Sequence, residues 1–221
     1  MKKLNLIAAV TVSIFLFSCK KETIQPMNNQ VSTTTTVDEN QDGMFTEKNS
    51  AKYTWDQLPE KLKSAEVYHA ETTPGTANKT AASYLTQVGP WGGGGGDSYS
   101  IYPKASTDKI YAIGVRSKNY VEGLSIWYIR TNGSIYSYVV GGTGGDFYLQ
   151  PFAATERITA IAGKSATYLD RLTIYTNKKV FSYGGNGGTA FYAGANQSQV
   201  LGFYGGAKTY IDRIGAYLYS L

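Results

Sequence analysis

The sequence predicts an all-β domain assembled from three related units, and three observations carry that reading. β-Branched and aromatic residues alternate through residues 110–116, 124–129, 135–140 and 172–176, the pattern of half-buried strands, and none of these runs keeps a helical period. One pattern, a Tyr, an aliphatic residue and a carboxylate leading into a strand, occurs three times: Tyr120-Val121-Glu122, Tyr168-Leu169-Asp170 and Tyr210-Ile211-Asp212. Three glycine-rich runs recur with it, at 92–97, 141–146 and 184–189. Self-similarity at a period of roughly 45 residues marks a fold of repeated units, in which loops at equivalent positions are equivalent candidate sites.

Turn chemistry separates the predicted strands. Thr131-Asn132-Gly133-Ser134 reads as a tight hairpin turn because Asn and Gly accept positive φ, and Thr176-Asn177-Lys178-Lys179 holds the corresponding place one repeat later. Many short strands so spaced indicate a sandwich, a barrel or a prism. A small antiparallel sheet cannot bury its own apolar face, so three of them packed about a common axis would cover one another.

The chain divides into three parts. Residues 1–18 have Lys2 and Lys3, an apolar run from Leu6 to Phe17 and the small Ser18, the layout of an export signal too short for a membrane span. Leu16-Phe17-Ser18-Cys19 resembles the bacterial lipobox, which implies lipidation at Cys19 and a place in the bacterial cell envelope, anchored to the outer membrane on its surface or periplasmic face. As the one cysteine of the 221 residues, Cys19 leaves no disulfide within the chain. Residues 19–87, rich in Thr, Asn, Gln, Lys and Glu, read as a mostly disordered tether, interrupted at 55–65 by a possible short helix with Leu58, Leu62 and Ala65 on one face, docked on the main domain. Residues 88–221 form the domain that carries core and activity.

Composition narrows the functions. A formal charge of +5 invites a nucleic-acid reading, but the basic residues are scattered singly and no nucleic-acid motif occurs. His69 is the single histidine and lies in the tether, which leaves no histidine-based triad and no Cys/His metal spacing. A glycosidase needs two carboxylates facing one another across a sugar, whereas the loop carboxylates come one per repeat. The chain is therefore read as a binding protein without catalytic residues, cofactor or metal. The sequon-like triplets at Asn78, Asn132 and Asn196 are read as chance.

Five separated motifs, in order, make residues 88–218 similar to the jacalin-related lectins. Gly89-Pro90-Trp91-Gly92-Gly93 resembles the family's opening Gly-Pro-x-Gly-Gly, and Glu156-Arg157-Ile158 its central Glu-x-Ile. Residues 172–177 resemble its Leu-Thr-Phe-x-Thr-Asn, and residues 200–205 and 211–215 its closing Gly-Phe-x-Gly and Leu-Asp-x-Ile-Gly. The triplicated glycine runs look most like the griffithsin-type members. The resemblance implies a β-prism of three Greek-key, four-stranded antiparallel sheets with pseudo-threefold symmetry, binding mannose-type or galactose-type sugars without metal. In that family a glycine-rich loop meets a Gly-x-x-x-Asp loop. Carried over, this pairs run 92–96 with 208–212, run 141–145 with 118–122 and run 184–188 with 166–170.

The candidate carbohydrate-binding residues follow from what hydroxyls require. Adjacent sugar hydroxyls both donate and accept, so a site combines a carboxylate with backbone donors. Asp212, Asp170 and Glu122 are the acceptors. Gly95 and Gly96, Gly144 and Gly145, and Gly187 and Gly188 bring backbone close to a ligand, while Thr167, Tyr168, Thr209 and Tyr210 offer amides. The rings of Tyr120, Tyr168 and Tyr210 suit the apolar face of a sugar. Glu122 ranks below the two aspartates, because one extra C–C bond moves its acceptor by about 1.5 Å. Where the family has the first glycine of Gly-x-x-x-Asp, this chain has Lys118, Ala166 and Lys208. A positive φ there would cost on the order of 1 kcal/mol; if only space matters, a lysine can fold outward, or reach over the pocket and favour acidic sugars. The alternative function is a structural or protein-contact prism without sugar binding, which buried salt bridges from the carboxylates to Arg171 or Arg213 would favour.

Overall fold

The computed structural model describes residues 52–70 and 84–221; the signal-like stretch, Cys19 and Asn78 lie outside the described residues. Ahead of the prism come β1 (Lys52–Tyr53), a single 3-10 turn (Trp55–Gln57), α1 (Glu60–Lys63) and β2 (Glu66–Tyr68). The three sheets then share one strand order. Sheet I runs β8-β5-β6-β7, with β5 Lys109–Ser117, β6 Val121–Ile129, β7 Ile135–Gly141 and β8 Asp146–Pro151. Sheet II runs β12-β9-β10-β11, with β9 Ile158–Ser165, β10 Leu169–Thr176, β11 Val180–Gly184 and β12 Thr189–Gly194. Sheet III runs β4-β13-β14-β3, with β3 Thr86–Gly92, β4 Asp97–Ile101, β13 Ser198–Ala207 and β14 Ile211–Ser220. Each is an antiparallel Greek key, and the third is closed by strands from both ends of the domain. The all-β prism expected from the sequence is the fold observed.

The turns form for the reasons their residues suggest. Between β6 and β7, Gly133 takes φ +82° and Ser134 N donates to Asn132 Oδ1 at 3.0 Å. Between β10 and β11, Thr176 Oγ1 accepts from Lys178 N and Lys179 N at 3.1 and 2.9 Å.

The inner strands β6, β10 and β14 contact one another pairwise. Their inward residues are matched by repeat: Val121, Leu169 and Ile211 are fully buried, followed by Leu124, Leu172 and Ile214. The aliphatic residue of each Tyr-aliphatic-carboxylate motif is thus a core plug, worth roughly 1.5–3 kcal/mol of apolar burial. It fixes the Tyr and the carboxylate on either side.

Part of the stretch read as tether is built into the domain. β1 adds antiparallel to β8 (Lys52 opposite Tyr148), and β2 adds parallel to β7 (Glu66 opposite Tyr136). Between them the segment crosses the outer face of sheet I. The helix there is a single turn, shorter than the sequence suggested, but Leu58, Leu62 and Ala65 are buried as expected, against Ala112, Trp127, Phe147 and Leu149. Trp127 Nε1 donates to Leu62 O at 3.1 Å, so the largest residue of that face has both ring and N–H satisfied. The strap occupies both edges of sheet I, the places where a sheet is open to unwanted pairing.

Candidate functional site

The first hairpin of each sheet ends in the same irregular pairing. Ser117 faces Val121, Ser165 faces Leu169 and Ala207 faces Ile211; the next pairs are Arg116 with Gly123, Lys164 with Arg171 and Gly206 with Arg213. One residue is skipped each time, and it is Glu122, Asp170 or Asp212. A β-bulge leaves its extra residue out of the ladder and re-aims its side chain. All three carboxylates are therefore delivered to one end of the prism by one device.

The freed backbone of each bulge holds a glycine run. Asp212 O accepts from Gly93 N at 2.9 Å, Glu122 O from Gly142 N at 2.7 Å and Asp170 O from Gly185 N at 2.8 Å. The first and last glycines of each run have positive φ: Gly92 and Gly96, Gly141 and Gly145, Gly184 and Gly188. A side chain there is strained, which explains why the runs begin and end with glycine. Close approach explains the residues just before the end. A Cβ on Gly95 or Gly187 would collide with the Oδ1 of Asp212 or Asp170, and one on Gly144 with Glu122 Oε2. The structure thus brings together all three loop pairs expected from the sequence.

The runs also interlock around the axis. A Cβ on Gly93 would strike Thr167 O, one on Gly142 Thr209 O and one on Gly185 Asn119 O, so each glycine run rests on the motif loop of another sheet. The tyrosines complete this ring. Tyr120, Tyr168 and Tyr210 meet with centroids 5.6, 5.6 and 4.8 Å apart, forming one half-exposed cluster rather than three separate platforms.

Lys118, Ala166 and Lys208 raise no backbone difficulty, because Gln197 is the one non-glycine residue at positive φ among the described residues. All three are exposed, and their amides close the turn onto Tyr120 O, Tyr168 O and Tyr210 O at 3.1, 3.0 and 2.9 Å. Of the two consequences weighed for the missing glycine, the requirement for positive φ does not apply.

Electrostatics distinguish the sites. Asp212 and Asp170 are largely buried, and desolvation holds the Asp212 carboxyl above the ordinary aspartate value against the opposing pull of Arg213. Asp170 Oδ2 is buried with no hydrogen-bond partner. The arginine after each aspartate serves the glycine run: Arg213 Nη1 donates to Gly95 O at 2.6 Å, and Arg171 Nε to Gly185 O at 2.8 Å, with a second guanidinium nitrogen on Asn186 Oδ1. Sequence reasoning treated these arginines as possible carboxylate partners. Their position directly after the motif carboxylate, in two repeats of three, is the signal it passed over.

In site I, numbered like sites II and III after the sheet that supplies its carboxylate, the same position is Gly123, where a Cβ would meet Gly142 O at 2.5 Å. The Glu122 carboxylate lies over Gly144, whereas each aspartate spans the last two glycines of its run. Among the described residues, no group of three His, Cys, Asp or Glu side chains is placed to hold a metal ion.

A prism of three Greek keys with a carboxylate bulge under a glycine turn at one end of each defines a class of loop-site β-prism proteins. The chain belongs to the family described as Jacalin-like lectin domain, which matches residues 88–217. Solved structures agree. The wild-type Malaysian banana lectin is 29% identical, covering 62% of this chain and 99% of its own, with a TM-score of 0.57. The Calsepa lectin in complex with a biantennary N-glycan is 28% identical, covering 62% and 97%, with a TM-score of 0.55. A mannose-binding jacalin-related lectin from Ananas comosus is 25% identical, covering 62% and 99%, with a TM-score of 0.57.

Proposed function

We propose that the protein binds glycans without metal through the three loop sites, as a lectin held at the bacterial envelope by a lipid on Cys19. One observation carries this: the carboxylate of each repeat is the bulged residue of its hairpin and lies beneath an exposed glycine turn. Packing alone has no use for an acid there. Burying Asp212 and leaving Asp170 Oδ2 unpaired both cost stability, and such costs are kept where a ligand repays them. The glycan complex of the Calsepa lectin and the mannose-binding name of the Ananas comosus protein support sugars of the mannose type as the first class to test. Asp212 and Asp170 lead as acceptors, with Glu122 behind them.

Shallow sites bind single sugars weakly, and three at one end of a prism gain affinity by engaging several branches of one glycan. Arg213 argues against the structural alternative, since its Nη1 donates to the glycine-run carbonyls Gly93 O and Gly95 O.

A glycan array probed with the chain lacking its first 19 residues, beside an Asp170→Ala/Asp212→Ala variant, tests the reading. Binding that the variant loses is expected; a blank array from a folded protein would return the prism to a protein-contact role.

A further inference from the structure

The end of the prism opposite the glycine turns holds a cavity of about 630 Å³, within the usual range for small-molecule sites. Its lining includes the starts of β5, β9 and β13, one strand from each sheet. β5 alone is nine residues long, which sets the two ends about 25–30 Å apart. The cavity is therefore no extension of the loop sites.

Its chemistry is mixed in a particular way. The floor is apolar, with Phe152, Ile158 and Val200 buried. Two carboxylates line it from below. Asp108 Oδ2 accepts from Tyr136 Oη at 2.7 Å and from Ala105 N at 3.2 Å. Glu156 accepts from Thr176 Oγ1 at 2.8 Å and Ala153 N at 3.2 Å. The exposed rim supplies donors: Lys109, Arg157 and the hydroxyls of Thr107 and Thr155.

A wholly apolar ligand would strand these polar groups, and a simple anion would leave the floor unused. A ring with one apolar face and hydroxyls around its edge satisfies floor, acids and donors together. We infer that this cavity is a second kind of saccharide site, accepting one sugar unit in contact with Asp108 and Phe152. A protein with sugar sites at both ends could bridge two glycans. The inference rests on the cavity's own chemistry and does not require the loop sites to bind.

Hydrogen exchange read by mass spectrometry tests it on the full chain in detergent, with methyl α-mannoside and methyl β-galactoside as probes at high millimolar concentration. At least one probe is expected to slow exchange several-fold in peptides spanning 104–111 and 152–159. The slowing should persist in Glu122→Ala/Asp170→Ala/Asp212→Ala, which separates it from the loop sites, and disappear in Ala154→Trp, which fills the mouth from an exposed rim position. No slowing with either probe in folded protein overturns the proposal. So does slowing that survives Ala154→Trp, or equal slowing by sorbitol, which has hydroxyls but no ring.

Discussion

Sheet I and the other two sheets have the same strand order, the same bulge and the same glycine turn, yet they are equipped differently. Sheets II and III present an aspartate followed by an arginine that grips the turn, while sheet I presents Glu122 followed by Gly123, and alone carries the strap. The site end of sheet I is also tied to the strap, because Lys52 Nζ donates to Asp146 Oδ2 at 2.8 Å directly after Gly145. The repeats have divided their labour: sheets II and III keep an aspartate and an arginine at the turn, and sheet I keeps the N-terminal segment.

The largest expected effect comes from removing what holds the strap. Trp127 is 1% exposed and bonded to Leu62 O, and its Ala variant is expected to lose about 3–5 kcal/mol. Denaturant unfolding should show that loss, while sugar binding at sites II and III survives in the folded fraction. A loss of binding at those sites would show that the strap supports the whole prism.

The next effect concerns the acids. Asp212→Asn or Asp170→Asn removes a charge-assisted acceptor worth about 1.5–3 kcal/mol, roughly a ten- to hundredfold loss at that site by calorimetry, with Glu122→Gln losing far less. Equal losses from all three would erase the distinction between the repeats. Acidity gives a second reading of the same residue. Since desolvation raises the Asp212 carboxyl, site III should weaken on acidification at a pH above that of an ordinary aspartate and recover fully as the carboxyl ionises. The folded state holds that proton more tightly than the unfolded chain, so ionisation there opposes folding. Asp212→Ala should therefore melt no lower than the parent protein, a result a purely structural acid would not give.

Glu122→Asp restores at sheet I the acid that sheets II and III carry. Shortening the side chain by about 1.5 Å lets the carboxylate span Gly144 and Gly145, as its counterparts span their own pairs, and should raise affinity at site I severalfold. No change would mean that the missing arginine, and not the acid, sets site I apart.

Much of this was legible in the chain, because repetition and residue type are local signals. Alternation in residues 110–116 and 124–129 announced β5 and β6, and the triplicated motif and glycine runs named the loops that meet. What was not legible depends on pairing. That Glu122, Asp170 and Asp212 are bulged follows from the register of two strands at once. The interlock of Gly93 with Thr167 joins residues far apart in the chain, and the tyrosines read as three platforms share one axis that no single repeat contains. The strap was missed as strand because Lys52–Tyr53 and Glu66–Tyr68 are too short to show a period, and they become strands only because β8 and β7 offer open edges.

The smallest expected effect tests whether strap and site I communicate. The Lys52 ammonium beside Asp146 holds that carboxyl below the ordinary aspartate value, so the pair stabilises the protein above the unfolded pKa and the contribution fades as pH falls through the folded one. Both side chains are largely exposed, and such pairs contribute little. Lys52→Ala should leave the unfolding midpoint at pH 7 within error and return the Asp146 carboxyl, followed by NMR titration, towards its ordinary value. If the strap also positions the turn of site I, resonances of Gly144 and Gly145 will shift in the same variant while those of Gly187 and Gly188 stay fixed. Unchanged resonances at both turns would confine the strap to a role in stability and leave Glu122 and the missing arginine at Gly123 to account for a weak site I.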